Sequence, residues 1–243
     1  EELVNTLPNN TAARGDGFLL LGNDGLASLP TSFLWEKINA SDKEHFYSDH
    51  PYYGAQMPLG ASYLTNGQLA FIKEWILGGA PKEGIVEKAK ESLLDDTTRY
   101  DPPEFMAIDT PEQGIQLHLG PFEISPQFER EFYYFQPLDT TGNIYIERAE
   151  LTMRSGSHHF IAYSFSESIP AWVGLTPFEY RDIRAEDGSY IQSSLLATLW
   201  HSFGFGAQIP FMNYQFPNGV ALRLDADLGL DLNSHYINLT DTA

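Results

Sequence analysis

The sequence predicts a mainly β chain with a small α part: an antiparallel β-sandwich that follows an N-terminal helical segment. Three observations lead there. From about residue 105 onward, aromatic and β-branched runs recur between clusters of turn residues, which is sandwich texture. Before residue 82 the strongest periodic signal is helical. Between the two lies a charged stretch that ends at a double proline, Pro102-Pro103, where regular structure must stop. Residues 1–81, 82–104 and 105–243 are therefore expected to be a helical part, a linker and the sandwich.

The elements follow in order. Thr31 to Ile38 suggests a short helix. Thr65-Asn-Gly-Gln68 is a capping box, in which side chain and backbone of residues three apart satisfy each other. Leu69, Ile72 and Ile76 follow at helical spacing, with Phe71 and Trp75 beside them; Gly78-Gly79 ends the helix and Pro81 follows. A charged helical piece is expected from Lys82 to Leu94. Gly114 to Leu119 alternates apolar and polar residues, and Glu129–Gln136, Ile144–Met153 and Phe160–Phe165 read as strands. Leu224, Ala226, Leu228, Leu230 and Leu232 alternate with polar residues, a period-2 strand pattern with a turn near Gly229. On that reading Asp225, Asp227 and Asp231 form the solvated face. The same carboxylates do not make an EF-hand calcium loop: the glycine falls one position early, at Gly229, and Tyr236 stands where the bidentate Glu belongs.

Composition excludes several function classes. Lys and Arg total 14 against 33 Asp and Glu, a net charge of −19. Such a charge repels phosphate backbones, so no nucleic-acid partner is expected, and it disfavours anionic membrane surfaces. No apolar run is long enough to span a bilayer and no signal peptide is recognised, so no membrane span is expected. The acidity suits an exported protein, periplasmic, cell-surface or extracellular. The absence of Cys excludes disulfides, zinc–thiolate sites, iron–sulfur clusters and thioether-bound haem within these residues. Without a Gly-x-Ser-x-Gly, a phosphate loop or a His-Glu-x-x-His motif, hydrolase, nucleotide and zincin readings have no support.

The candidate metal ligands are His158 and His159, in Met153-Arg-Ser-Gly-Ser-His-His-Phe-Ile-Ala-Tyr163, together with His235, in Leu232-Asn-Ser-His-Tyr-Ile-Asn238. An adjacent pair alone means little, because with 7 His in the chain one arises by chance in roughly one such sequence in six. On an ideal strand two neighbours point to opposite faces and cannot share a metal. Joint ligation needs a kink or a strand end, and the Ser155-Gly156-Ser157 run before the pair is expected to supply it. His235 lies near the end of its strand, where its side chain can point at a site between two sheets. His201, in an aromatic context, is expected to stack there rather than to act as a fourth ligand. His118 is expected to be exposed, and His45 and His50 lie in a polar loop.

Two resemblances extend this reading. Gln116-Leu-His-Leu119, Phe132-Tyr-Tyr-Phe-Gln-Pro137, the His158-His159 pair, Phe216-Pro-Asn-Gly-Val-Ala221 and His235-Tyr236 resemble the first, histidine-rich domain of the copper type II, ascorbate-dependent monooxygenases, over about residues 114–240. That resemblance implies a jelly-roll-like sandwich in which His158, His159 and His235 bind one copper that relays an electron. In the family a second domain carries another copper, on two His and one Met, where oxygen is activated. That domain has no counterpart in these residues, so complete hydroxylation is not expected of them alone. The family's animal members are rich in disulfides and this chain has none, so the resemblance implies a bacterial relative.

Leu3-Val-Asn5, Ser32-Phe-Leu-Trp-Glu-Lys37, Gln56-Met-Pro-Leu-Gly60 and Ile72-Lys-Glu-Trp-Ile-Leu-Gly-Gly-Ala-Pro81 resemble the second half of a bacterial c-type cytochrome domain. That resemblance implies Met57 as a distal haem ligand, provided a haem-binding half precedes it. The Cys-x-x-Cys-His motif occurs nowhere in these residues, so haem is not expected in them.

Three neutral imidazoles suit copper or zinc, and ligand count does not choose between them; the resemblance tips the choice to copper. The function expected is the copper-binding, electron-relay part of an exported ascorbate-dependent monooxygenase-like protein. Its partners would be a small reductant such as ascorbate and other chains or further parts of a longer protein. The alternative is a non-catalytic extracellular structural or assembly module built on the sandwich.

Overall fold

The computed structural model describes residues 3–39, 46–101, 104–154 and 157–243. They form two compact units, residues 1–104 and 105–243.

Unit 1 is helical and irregular, with α1 at Thr11–Gly15, α2 at Phe33–Ile38, α3 at Phe46–Asp49 and α4 at Asn66–Leu77. The capping box forms: Thr65 Oγ1 accepts from the Gln68 amide at 3.1 Å and Gln68 Oε1 accepts from the Thr65 amide at 2.9 Å. Gly79, at φ 90°, turns the chain out of α4. Leu69 and Ile76 bury the inner face of α4 against Ile38, Leu21 and Ala80. The charged helix expected from Lys82 to Leu94 does not form; one 3-10 turn at Glu91–Asp95 is all the helix there. Its backbone lies hard against α4. A Cβ on Gly67 would sit 2.2 Å from the Leu93 carbonyl oxygen, so glycine is required at that point. The Asn66 and Gly67 amides donate to the Thr98 and Asp96 carbonyls at 2.6 and 3.1 Å. The stretch expected as a linker is therefore bonded to α4 as far as Arg99; Pro102 and Pro103 lie outside the described residues.

Unit 2 is mainly β and wholly antiparallel, consistent with a β-sandwich. Its main sheet has the order β5-β1-β9-β4-β6: Tyr180–Asp182, Phe128–Gln136, Leu230–Asn238, Ser157–Phe165 and His201–Ala207. Two two-stranded ladders accompany it, β2 (Asn143–Ile146) with β8 (Leu222–Asp225) and β3 (Arg148–Thr152) with β7 (Phe211–Gln215). The single strand expected over Ile144–Met153 is thus two, which break at Glu147 and take different partners. Gly114 to Leu119 is no strand; Leu117 and Leu119 reach the core from an unpaired segment. The Leu224–Leu232 pattern is interrupted where expected, by a 3-10 turn at Ala226–Leu228 and Gly229 at φ 69°.

The main sheet has two unlike faces. Phe160, Ala162, Leu230 and Leu232 point to the ladders and form the apolar core with Leu224, Ile144 and Leu151. Side chains one position out of phase point away from it: Glu131, Tyr133 and Phe135 on β1, His159, Ile161, Tyr163 and Phe165 on β4, Asp231, Asn233 and His235 on β9. At one end of this second face, the excursion over 166–200, with α5 at Gln192–Leu195, buries Phe165 beside Val173 and Ala197. The other end carries the histidines.

Candidate metal centre

β4 and β9 bring the three histidines together through a bulge. Ser157 lies opposite Tyr236 and His159 opposite His235, so β4 takes two steps where β9 takes one. His158 is the extra residue. A bulge re-aims a side chain that regular alternation would send to the other face, so neighbouring His158 and His159 share one side. The kink that adjacent ligation requires therefore lies at His158 itself; Ser155 and Gly156, expected to supply it, lie outside the described residues. The site is also not between two sheets, as expected for His235. It lies on the face of the main sheet opposite the apolar core.

The ring centroids of the triad stand 5.0, 5.2 and 5.5 Å apart, each pair edge to face. One ring nitrogen from each falls within 4.8 Å of the others, a grouping able to hold a metal ion. His158 Nδ1 and His159 Nδ1 are 3.3 Å apart. Two nitrogens bound tetrahedrally to one ion at about 2.0 Å would be about 3.3 Å apart. The pair thus already stands at ligand spacing.

Neighbouring oxygens determine which nitrogens are bare. Asn233 Nδ2 donates to the Phe132 carbonyl at 3.1 Å and to Glu131 Oε1 at 3.2 Å, both acceptors only. Its Oδ1 therefore faces His159 Nε2, at 2.8 Å, and that nitrogen carries the proton. Neutral His159 then has a bare Nδ1, turned toward His158. His235 Nε2 lies 2.7 Å from Glu129 Oε1, so it donates to a carboxylate and its Nδ1 is bare as well. Holding the outer N–H of a ligand imidazole is how proteins orient metal ligands.

Electrostatics divide the pair: His158 is biased toward the neutral form and His159 toward the protonated form, in which a proton competes with a metal. Burial and the neighbouring rings of His235 and His159 hold the His158 pKa below the ordinary histidine value, so it stays neutral. For His159, burial acts downward, but hydrogen bonds to Glu131 and Asn233 and the Glu131 charge outweigh it and raise the pKa. Glu131 is held below the usual carboxylate range, first by its bond to His159. The side chains of His159 and His235 are 14% and 12% exposed, and Glu129, at 63%, stands at the solvent edge. The centre is thus a partly buried, three-nitrogen site with two carboxylates behind it and solvent on one side.

Farther along the same face lies a second cluster, built around a single histidine. His201 stacks on Tyr163 at 4.4 Å and 11°, meets Tyr133 edge-on and leans on Phe165, as expected of an aromatic cluster. Asp231 corrects an expectation. Instead of belonging to a solvated face it is 0% exposed, accepts from Arg181 Nη2 through both oxygens at 2.6 Å, and lies 2.9 Å from His201 Nε2. Asp225 and Asp227 are exposed as expected.

The remaining candidates are not part of the triad. His118 is exposed. His50, in unit 1, is not in an open loop: it stacks on Tyr53 at 4.2 Å with its Nε2 3.2 Å from Glu36; His45 lies outside the described residues. Met57, also in unit 1, is 39% exposed, and its amide donates to the Lys37 carbonyl. Sequence reasoning missed Asn233, Glu129 and Glu131. Their signal was the strand period: Asn233 precedes His235 by two, and Glu129 and Glu131 stand two apart on β1, on one face. No protein-family model, no curated protein and no solved structure matches the chain.

Proposed function

We propose that the chain is the copper-binding, electron-relay part of an exported ascorbate-dependent monooxygenase-like protein, with copper held by His158, His159 and His235. The convergence of three imidazoles, two with bare Nδ1 atoms, carries the reading. Neutral imidazole favours copper over most divalent ions, and the motif resemblance favours it over zinc. Bound copper would supply one-electron chemistry by cycling between its two oxidation states. The chain's own residues do the rest. Asn233 and Glu129 hold the outer N–H groups of His159 and His235, so neither ring can turn away. Glu131 and Glu129 add negative charge beside a cation. The solvent edge admits a small reductant of the ascorbate kind.

Copper titration of the wild type against His158→Ala, His159→Ala and His235→Ala tests the site. Each variant should lose at least a hundredfold in affinity, about 2.7 kcal/mol, while circular dichroism shows the sandwich intact. Electron paramagnetic resonance of the copper(II) protein should show nitrogen ligands, and its signal should vanish with ascorbate and return with an oxidant. Equal affinity in all four proteins would remove the site and leave the structural module as the better account. Zinc outcompeting copper at equal concentration would remove the redox role.

A further inference from the structure

Unit 1 contains an open cleft of about 410 Å³. That volume lies in the range of small-molecule sites, about 300–1,000 Å³. One wall is a single stripe of α4: Asn66, Leu69 and Lys73 recur at helical spacing of three and four. Trp35 of α2 and Tyr100 supply aromatic surface, and buried Leu69 packs with both in one apolar cluster. Arg99 completes the rim. It is held in place because its backbone bridges to Thr65, and Asn66 Nδ2 donates to Thr98 Oγ1 at 2.9 Å.

The rim is cationic and unpaired. Lys73 and Arg99 are both exposed, and neither has an ion pair or side-chain hydrogen bond among the described residues. This is notable in a chain with 33 acidic and 14 basic residues, where a basic side chain has more than two carboxylates for each cation to choose from. The Trp35 indole N–H likewise has no partner there. Two cations unpaired among the described residues, beside an aromatic floor and with no carboxylate among the described lining residues, select for negative charge joined to a flat apolar body. Arg offers a carboxylate a two-pronged fork, and Lys a point charge.

We infer that this cleft binds a small aromatic carboxylate: its ring lies against Trp35, Leu69 and Tyr100, and its carboxylate sits between Lys73 and Arg99. The site is independent of the metal centre and of the redox reading.

The probe is 2-naphthoate, with neutral 2-naphthamide as its isostere, titrated by fluorescence anisotropy against the full chain. Naphthoate should bind one to one with a submillimolar Kd, and naphthamide at least tenfold more weakly. The double variant Lys73→Met/Arg99→Met should bind naphthoate no better than naphthamide, while its affinity for naphthamide and its melting temperature stay at wild-type values. His235→Ala should bind naphthoate as the wild type does. Equal affinities of the wild type for the two probes would overturn the inference without any variant. So would unchanged naphthoate binding in the double variant, or no saturable binding of naphthoate up to about 5 mM.

Discussion

His159 and His201 lie on the same face of the main sheet, and each places Nε2 within 3 Å of an oxygen on β9: Asn233 Oδ1 at 2.8 Å for one, Asp231 Oδ2 at 2.9 Å for the other. The environments then diverge. Asn233 is neutral and orients its ring, Glu131 is a partly exposed charge 3.5 Å from the same nitrogen, and Nδ1 is left turned toward another imidazole 3.3 Å away. Asp231 is a fully buried charge already shared with Arg181, and the ring it holds is enclosed by Tyr163, Tyr133 and Phe165. A histidine in a β-sheet is therefore a ligand or a structural strut according to what meets its second nitrogen and its ring faces. For His159 that partner stands on the neighbouring strand, two positions before His235; for His201 it reaches across the intervening β4.

The largest difference between the clusters should appear in stability. Removing one partner of a buried ion pair strands the other, at a cost of about 3–5 kcal/mol. Asp231→Ala should therefore lower the urea midpoint far more than His235→Ala, which removes a partly exposed ring with no buried ion-pair partner. If the two variants unfold at the same urea concentration, Asp231 does not hold the buried ion pair described above.

Metal affinity should separate the clusters in the opposite sense. Asn233→Ala removes the acceptor that fixes His159, and losing an outer-sphere partner of this kind costs about 10–100-fold in affinity. His201→Phe keeps the aromatic packing, so copper affinity should stay within about twofold, while stability falls by about 1–2 kcal/mol for the lost bond to Asp231. Both follow from isothermal titration and urea unfolding of the same samples. A loss of copper affinity in His201→Phe as large as in Asn233→Ala would mean that the two clusters are one.

How much of this was legible follows from the range over which each signal acts. The three histidines were readable because residue type and motif are local. The need for a kink was readable too, since alternation forbids adjacent side chains from sharing a face. Its form was not. A bulge is a mismatch between β4 and β9, and only the pairing of His159 with His235, 76 positions away in sequence, reveals it. Asp231 was misplaced for a related reason. Period 2 says which side chains share a face and says nothing of whether that face is covered, and Arg181 and His201 come to Asp231 across 50 and 30 residues. Gly114–Leu119 has strand alternation but no partner strand, whereas the capping box at Thr65 needs only its own four residues and forms as read.

The smallest effect concerns another cation, Lys37, which sharpens the contrast with Arg181. Both are shielded from water, but Arg181 faces a carboxylate while Lys37, among the described residues, meets carbonyls and rings. Its Nζ donates to the Tyr53 carbonyl at 3.0 Å and to that of Ala55, and lies 5.7 and 5.6 Å from the Phe33 and Phe46 ring centroids. Burial lowers its pKa from 10.5 to about 8. The unfolded chain then holds the Lys37 proton up to about pH 10.5, while the folded chain releases it from about pH 8. Between these values the unfolded state binds more protons, so the Lys37 contribution to stability rises with pH there and is flat below pH 8. Buried Tyr53 acts the other way, but only above about pH 10, where unfolded tyrosine ionises. Urea unfolding of unit 1 between pH 7.5 and 9.5 should therefore show a midpoint that climbs in the wild type and stays level in Lys37→Met. A parallel pH dependence in the two proteins would mean that Lys37 keeps its ordinary pKa, and that the two carbonyls and two rings replace a carboxylate after all.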